Sequence, residues 1–415
     1  MAFKEYLLEE VTEAIFSGGT PSTKNELYWN GKFNWLSSGE SRNRIIKETE
    51  KKITLEGINN SSTRLAQRHD IIMASAGQGI TRGQTSFLNI DTYINQSIVA
   101  LRADDKKLDA RYLFYNLNSR YSELRAISDS ASTRGSITTA MLKRFPIKLP
   151  SKDIQEKIAE ILWSFDNKIE LNNQMIDTLE EMASALFKRW FVDFEFPDVN
   201  GNPYKSSGGK MIDSELGEIP EGWEIGKLSD YGDVVGGGTP SKKKQEYYDN
   251  GTVSWITPKD LSELKVTFIE KGKLSITDEA LKKSSAKLVP KGTVLFSSRA
   301  PIGYMAIAKN SLTTNQGFKS IVPNDSMSSF FIYLWLKRNL EMIKSLGTGS
   351  TFKEVSGGTM KNIDTIIPKS KIVSQFDEII VPIFKLIEKC ESENSSLIDT
   401  RDTLLPKLLS GEIEF

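Results

Sequence analysis

Two segments of the chain carry an apolar repeat of seven residues, the pattern of paired helices. The columns of the first segment are Leu162, Ile169, Ile176, Ala183 and Trp190, and Ile158, Phe165, Asn172, Leu179 and Leu186. Those of the second are Ile380, Ile387, Asn394, Arg401 and Leu408, and Phe376, Ile383, Cys390, Leu397 and Leu404. A helix with one apolar stripe cannot bury that stripe alone. We therefore expect the two helices to pair antiparallel, along a seam of about 48 Å.

Asn394 and Arg401 interrupt the apolar seam of the second repeat, and such polar seam residues can fix the register. The same segment contains two prolines and one cysteine. Proline lacks an amide hydrogen and clashes with the preceding helical turn. We therefore expect either a kink at Pro382 or a helix that starts after it, and an end or a bend at Pro406. Cys390 lies in the seam and is interpreted as a small core residue.

Each helical segment follows a globular stretch of about 150 residues with a mixed α/β pattern. Short apolar runs at 70–75 and 292–297 predict strands, and 112–125 and 330–346 predict amphipathic helices. The predicted domains are a first lobe at 1–150, a central helical region at 151–195, a linker rich in Gly and Pro at 196–222, a second lobe at 223–370 and a terminal helical region at 371–415.

The second half of the chain repeats the first. Gly18–Ser22 recurs as Gly237–Ser241, at an offset of 219 residues. At offsets of 218 to 220 the same holds for Asn30-Gly31 with Asn250-Gly251, Trp35 with Trp255, Asn95-Gln96 with Asn315-Gln316 and Leu149-Pro150 with Ile367-Pro368. A steady offset over most of the chain indicates an internal duplication with pseudo-twofold character.

Composition excludes several classes of site. The 415 residues contain one histidine, His69, and one cysteine, Cys390, so neither a Ser-His-Asp relay nor a Cys/His zinc site is expected. No apolar run is long enough for a membrane span, and we expect a cytoplasmic protein. The net charge is zero, but it alternates along the chain as +5, −5, +5 and −5 over 1–150, 151–197, 198–371 and 372–415.

Basic lobes between acidic helices favour nucleic-acid binding over catalysis. The glycines at 236–238 are not followed by the second Gly, with Lys and Ser/Thr directly after it, that a phosphate-binding loop requires. Gly77, Gly79 and Gly83 do not form a dinucleotide fingerprint. The candidate DNA contacts are Arg42, Arg44, Lys47, Gln78, Arg82, Lys242, Lys243, Lys244, Arg299, Asn315 and Gln316. For the last two residues, a structural role in a turn common to both lobes is the alternative.

Several motifs give the chain a family resemblance over essentially its whole length. They are Gly-Gly-Thr-Pro-Ser in both lobes, each followed by Asn-Gly and Trp, together with Ser350–Val355, Leu186–Phe194 and Arg401–Ile413. With these motifs the chain resembles the specificity subunit of type I restriction-modification systems. The first lobe departs from the pattern at Arg134-Gly135, where the second lobe has Phe352-Lys353.

The resemblance implies two target-recognition domains that read a bipartite target in double-stranded DNA, and helices that dock two modification subunits and further restriction subunits. It implies no catalytic residue, metal or cofactor in this chain, since S-adenosylmethionine, ATP and Mg²⁺ belong to the partner subunits. A stand-alone DNA methyltransferase or nuclease, and a coiled-coil adaptor without DNA affinity, are the alternatives.

Overall fold

The computed structural model describes residues 2–77, 79–129, 135–349 and 353–414. They form two compact units. One contains the chain up to Ile169 together with Ser396 onward, and the other contains Glu170–Ser395. Each unit therefore combines one lobe with part of both long helices, α6 (Lys152–Phe191) and α12 (Ser370–Ser410).

The first lobe contains eleven strands among its described residues: β1 (Lys4–Leu7), β2 (Thr12–Ser17), β3 (Trp29–Leu36), β4 (Ile45–Ile46), β5 (Lys51–Ile53), β6 (Arg64–Ala66), β7 (Ile71–Ala74), β8 (Thr85–Leu88), β9 (Thr92–Ile94), β10 (Ile98–Ala103) and β11 (Pro146–Leu149). Its helices are α1 (Leu8–Val11), α2 (Leu55–Asn59), α3 (Ala110–Ser119), α4 (Tyr121–Asp129) and α5 (Thr139–Lys143). The strands form sheets in the orders β2-β10-β7-β8-β4, β5-β3-β9-β6 and β1-β11.

The second unit contains β12 (Met211–Ile212), β13 (Ile219–Pro220), β14 (Glu224–Lys227), β15 (Gly232–Gly236), β16 (Val253–Ile256), β17 (Phe268–Ile269), β18 (Leu274–Ile276), β19 (Leu288–Val289), β20 (Val294–Ser298), β21 (Ile302–Ala308), β22 (Leu312–Thr314), β23 (Lys319–Pro323) and β24 (Asp364–Ile367). Its short helices are α7 (Pro258–Leu264), α8 (Asp278–Lys283), α9 (Ser329–Arg338), α10 (Leu340–Ser345) and α11 (Gly357–Lys361).

The two lobes have the same topology. In the second lobe the sheet orders are β15-β23-β20-β21-β17, β18-β16-β22-β19 and β14-β24, strand for strand those of the first. The parallel strand pairs correspond as well. The pair β4–β8 of the first lobe matches β17–β21 of the second, and β3–β9 matches β16–β22. The predicted internal repeat and the mixed α/β fold are confirmed.

The central strands of the first lobe are buried on both faces. Alternate residues of a strand point to opposite sides, and β7 accordingly supplies Ile71 and Met73 to a core with α3, and Ile72 to a core with the four-stranded sheet. Asp109 starts α3, since its carboxylate accepts the amides of Arg111 and Tyr112. The strand predicted at 70–75 is confirmed as β7, and the structure shows that it is fully buried.

The amphipathic helix predicted in each lobe is broken in two. In the first lobe α3 ends before Arg120, whose guanidinium lies 4.1 Å from the Phe145 ring centre and donates to the Pro146 carbonyl at 2.6 Å. In the second lobe α9 ends before Asn339, whose side-chain amide donates to the Trp335 carbonyl at 2.8 Å. Asn339 thus competes for a carbonyl of its own helix, whereas Arg120 turns away to a distant strand, and apolar spacing reveals neither contact.

The long helices run antiparallel within each unit. In the second unit Asn172 contacts Asn394 at 2.9 Å, the Met175 and Cys390 sulfurs lie 3.7 Å apart, and the Trp190 and Phe376 ring centres lie 5.7 Å apart. In the first unit, Ile158 and Leu162 share a core with Leu405 and Leu408. None of the twenty seam positions is exposed.

Of the two alternatives expected at Pro382, a helix that starts after this residue is wrong. Helix α12 already begins at Ser370 and continues through Pro382, and it ends at Ser410, four residues after Pro406. The buried side chains Phe376, Ile380 and Phe384 flank Pro382 and hold this segment in the core. Packing on that scale outweighs the roughly 3 kcal/mol cost of proline inside a helix.

A buried carboxylate joins both helices to the first lobe. Asp166 of α6 is 6% exposed and accepts hydrogen bonds from Arg401 of α12, from the Tyr115 hydroxyl at 2.6 Å and from Arg44 at 3.2 Å. Burial raises the pKa of Tyr115, and the neighbouring carboxylate adds to that increase. The phenol therefore remains a hydrogen-bond donor at neutral pH.

Two carboxylates join the helices to the second lobe at the equivalent place. Glu391 of α12 accepts the backbone amides of Thr267 at 2.6 Å and Phe268 at 3.0 Å, at the start of edge strand β17. Glu180 of α6 accepts the Thr267 hydroxyl and the Lys337 ammonium, both at 2.7 Å. Burial raises the pKa of Glu391 to about 7. We call Asp166, Glu180 and Glu391 the anchor carboxylates.

Replacing Asp166 by Asn should destabilise the chain strongly, because Arg401 and Arg44 would lose their shared buried carboxylate and Arg401 would keep only the exposed Asp402 as a counter-charge. The expected loss is about 3–5 kcal/mol in the free energy of unfolding. It is measured by unfolding the protein in urea and following tryptophan fluorescence and circular dichroism. Glu156→Gln on the same helix breaks the exposed pair with Lys152 and should cost less than about 1 kcal/mol. Equal losses in the two variants would contradict a buried ionic anchor.

The anchor at Glu391 should make stability depend on pH. Its folded pKa of about 7 exceeds the ordinary value of 4.5, so the folded state binds the proton more tightly. The free energy of unfolding should therefore fall between about pH 4.5 and pH 7, by on the order of 3 kcal/mol. Glu391→Gln should flatten this slope, whereas the exposed Glu378→Gln should not. Parallel pH profiles of the wild type and E391Q would contradict the assignment.

Candidate nucleic-acid interface

Four connecting segments meet at one place in each lobe, which we call the loop face. In the first lobe they are 18–22, 75–84, 95–97 and 135–138. The Ser75 amide donates to Ser97, the Ile137 amide donates to Ser75, and the Gly19 amide donates to Ile94, at 2.8–3.0 Å. Backbone hydrogen bonds thus hold these four segments together.

The loop face of the second lobe is built in the same way from 237–241, 299–301, 315–317 and 353–356. The Ser298 amide donates to Gly317 at 2.7 Å, the Val355 amide donates to Ser298 at 3.0 Å, and the Gly238 amide donates to Thr314 at 2.9 Å. Ser298 therefore corresponds to Ser75, Gly317 to Ser97 and Val355 to Ile137.

The repeated sequence motifs form a frame common to both loop faces. The Trp35 indole donates to the Gly19 carbonyl at 3.3 Å, and Trp255 donates to Gly238 at 3.0 Å. A Cβ atom on Gly18 would lie 1.9 Å from the Ile94 carbonyl oxygen, and one on Gly237 would lie 2.1 Å from that of Asn315. Only glycine permits this close approach.

The repeated Asn-Gln pair belongs to the same frame. Gln96 accepts the Thr20 hydroxyl, and Gln316 accepts that of Thr239. The side-chain carbonyl of Asn315 accepts the Gly317 amide at 2.8 Å, as Asn95 accepts that of Ser97 at 3.0 Å. Asn315 and Gln316 therefore have internal partners that are shared by both lobes, which agrees with the turn role considered as their alternative.

The connection between the third and fourth central strands differs between the lobes. Ten residues, 75–84, join β7 to β8, whereas three residues, 299–301, join β20 to β21. The longer loop is held against α4, because the Tyr121 hydroxyl donates to the Ile80 carbonyl at 2.7 Å and Arg125 donates to that of Gly79. A cavity of about 320 Å³ opens beside it, lined in part by Arg42, Ile80 and Tyr121.

The candidate cations of the first lobe face in different directions. Arg42 is exposed on the short turn Ser38–Arg42, and Lys47 is exposed as well. Arg44 instead points to the helices, where it binds Asp166 and Asn118. The Arg82 side chain is 8% exposed and forms an ion pair with Asp129 at 2.5 Å. Gln78 lies outside the described residues.

In the second lobe, Lys242, Lys243 and Lys244 are exposed directly after the repeated glycines. The Lys244 ammonium lies 4.9 Å from the Tyr247 ring centre, and its hydrogen bond to the Tyr247 hydroxyl raises its pKa. Arg299 lies on the loop face, half-buried, 3.4 Å from Glu354. Of the motif at 350–355, residues 350–352 are outside the described part, as are 132–134 of its counterpart.

Two charged residues of the loop face were missed from the sequence. Lys319 begins β23 and donates to Glu354 at 3.1 Å, so that Glu354 binds Lys319 and Arg299 together. The residues are separated by 35 and 55 positions, and no spacing rule connects them. Only the motif that contains Glu354 gave a signal.

The described residues lack both a metal-binding cluster and a membrane-spanning helix. They contain no group of three or more His, Cys, Asp or Glu side chains placed to hold a metal ion. His69 is exposed, with its ring 5.6 Å from that of Phe87. Among the described helices, none is long and apolar enough to cross a membrane.

Known proteins resemble this chain in sequence and fold. It is 41% identical over 187 residues to the type I restriction enzyme MjaIX specificity subunit of Methanocaldococcus jannaschii, covering 45% of this chain but only 43% of that protein. It is 30% identical over 354 residues to the HindI specificity subunit of Haemophilus influenzae, covering 72% of this chain and 76% of that one. At 15% identity, an S subunit from M. genitalium shares the fold, with a TM-score of 0.60 over 98% and 96% of the two chains.

The family model supports the duplication seen in the fold. The type I restriction modification DNA specificity domain matches the chain twice, over residues 2–181 and 220–398. Each match includes one lobe and most of the helix that follows it. The chain therefore belongs to the family of type I restriction-modification specificity subunits.

Proposed function

We propose that this chain is the non-catalytic DNA-recognition subunit of a type I restriction-modification complex, and that each lobe reads one half of a two-part target. The observation that supports this function best is the combination of a common frame with unlike loops. Shared glycines, tryptophans and Asn-Gln turns support both loop faces, while 75–84 and 299–301 differ in length and chemistry. Unlike loops on one frame suit the reading of two different half-sites.

The exposed cations favour duplex DNA as the partner. Lysines at the rim of the second loop face, Lys242–Lys244, are suited to phosphate contacts, which supply affinity without sequence information. Arg42 has a comparable exposed position in the first lobe. Arg44 is bound to Asp166 of α6 and Arg82 to Asp129 of α4, so the proposal assigns them positioning rather than base contact.

We further propose that the helices dock two modification subunits, which supply S-adenosylmethionine and methylate adenine, and that restriction subunits bring ATP and Mg²⁺ chemistry. The outer faces of α6 and α12 carry exposed apolar side chains, among them Leu171, Met182 and Ile379. Apolar residues at solvent positions of a long helix suit protein contact. The complex would operate in the cytoplasm, where its DNA target lies.

The same proposal makes the helix pair the element that fixes the gap between half-sites. Helix α6 is continuous for 40 residues, which is about 60 Å at ~1.5 Å per residue. A continuous helix resists bending far better than a loop of equal length, and so it suits the holding of two recognition modules at a set distance.

Removing the three rim lysines together should weaken binding to every duplex alike. With the chain assembled with its modification subunits, fluorescence anisotropy should show that Lys242→Ala, Lys243→Ala and Lys244→Ala reduce the salt slope by up to about 3. The matched control replaces the exposed Lys205, Lys210 and Lys227 by Ala, with the same charge loss and no expected effect. Selective loss of one target sequence would argue for base reading, and absence of DNA binding at low salt would favour the adaptor.

Shortening both helices by one heptad should shorten the preferred gap without changing either half-site. Residues 167–173 and 393–399 contain the Asn172–Asn394 contact and leave all three anchor carboxylates in place. Their joint deletion removes about 10 Å, or roughly 3 base pairs of DNA. The measurement is the methylated motif in DNA from cells that carry the complex. An unchanged gap would remove the ruler role, and deletion from one helix alone, which breaks the register, should abolish methylation.

A further inference from the structure

Arg299, Lys319 and Glu354 form a charged triad on the loop face of the second lobe. The Glu354 carboxylate receives Lys319 on one oxygen at 3.1 Å and Arg299 on the other at 3.4 Å. Lys319 also lies 3.5 Å from the Ser298 hydroxyl. Both oxygens are therefore occupied by cations, and the triad carries a net charge of +1.

The backbone around this triad is fixed on both sides. Glu354 exchanges backbone hydrogen bonds with Thr348, at 3.0 and 2.8 Å, and the next residue, Val355, donates to Ser298. Arg299 and Glu354 lie opposite each other in an isolated β-bridge. A carboxylate held in this way restricts the arginine beside it, so that little side-chain entropy is lost when the guanidinium binds something else.

Within the part of the chain that the structure describes, most N–H donors of the Arg299 guanidinium have no acceptor. A guanidinium has five N–H groups, and a single contact from one terminal nitrogen to Glu354 is seen for Arg299 within the described residues. Its side chain is about one-third exposed. The free edge can form two parallel hydrogen bonds, the geometry that matches O6 and N7 of guanine in the major groove.

At the described positions that correspond to this triad, the first lobe has no charged side chain, although its frame is the same. The backbone pairing identifies the three equivalent positions. Ala76 corresponds to Arg299, because each follows the matching serine, and Ser136 corresponds to Glu354, because each precedes the matching apolar residue. Val99 corresponds to Lys319, because each pairs with the residue just before the repeated Gly-Gly. The fold therefore does not require the triad. Charged residues that only one of two matching lobes carries point to a task that only this lobe performs.

We propose that Arg299 reads a guanine in the half-site of the second lobe, and that Glu354 and Lys319 position its guanidinium for that contact. This inference rests on the proposed function and adds to it a base and the residues responsible. Lys319 neutralises the second carboxylate oxygen, so that Glu354 orients Arg299 without presenting a bare anion to the DNA backbone.

The first test is the methylated motif of cells that carry the assembled complex. Arg299→Lys keeps the charge but loses the planar fork. It should lower discrimination at one G·C pair of one half-site by roughly 10- to 100-fold and leave the other half unchanged. Arg338→Lys, an exposed arginine on α9 away from the loop face, is the matched control and should give the wild-type motif.

The positioning role of Glu354 has its own readout. Glu354→Gln should lower discrimination at the same G·C pair, but less strongly than Arg299→Lys does. Glu354→Asp retains the charge and should keep much of that discrimination. Thermal unfolding of each variant complex shows whether the lobe is folded. E354Q with a wild-type Tm and wild-type discrimination would overturn the positioning role.

Base-analogue duplexes then test the contact directly. Replacing the identified guanine by 7-deazaguanine removes the N7 acceptor and should lower wild-type affinity about 10-fold, while Arg299→Met should bind both duplexes almost equally. An unchanged motif in R299K, or a uniform loss of affinity for all sequences, would overturn the inference and leave the proposed function intact. A wild-type complex that binds all duplexes alike would overturn the proposed function itself.

Discussion

The two long helices depend on each other for burial of their apolar stripes, and this constraint organises the chain. Helix α6 ends at Phe191, and its partner begins only at Ser370, after the whole second lobe. The stripe of α6 therefore stays exposed until the chain has returned. In each unit the seam then merges with the lobe core, as where Trp190 and Phe376 join one continuous apolar cluster with Phe331. Helices and lobes thus stabilise one another.

Polar residues in the seam determine how the helices align. Asp166 is paired with Arg401, whereas a slip of one heptad would place it opposite Asn394 or Leu408. Opposite leucine, Asp166 would lose Arg401 and keep only the partly exposed Arg44, and losing one partner of a buried ion pair costs several kcal/mol. The Asn172–Asn394 contact favours the same alignment. An apolar seam alone would permit several registers. Only one register pairs Asp166 with Arg401 and Asn172 with Asn394 at the same time.

The sequence predicted best what depends on local or repeated patterns. The heptads predicted both helices, and the steady offset predicted that two lobes share one topology. Packing decided the rest. Pro382 is accommodated because apolar neighbours on α12 hold the helix, and Arg44 turns to Asp166, which is 122 residues away in the chain. The triad of Arg299, Lys319 and Glu354 likewise forms across strands, and no one-dimensional pattern encodes those pairings.

The alternating charge of the sequence acquires a second meaning in the structure. The acidic helical segments do more than present a negative surface, because Asp166, Glu180 and Glu391 form hydrogen bonds and ion pairs with the lobes. In both lobes the contact is made by the residue just before the edge strand, Arg44 before β4 and Thr267 before β17. The duplicated fold thus kept the place of the contact while its chemistry diverged. The anchor carboxylates bind a cation in the first lobe and backbone amides, a hydroxyl and an ammonium in the second, so part of the acidic charge of the helices is neutralised within each unit.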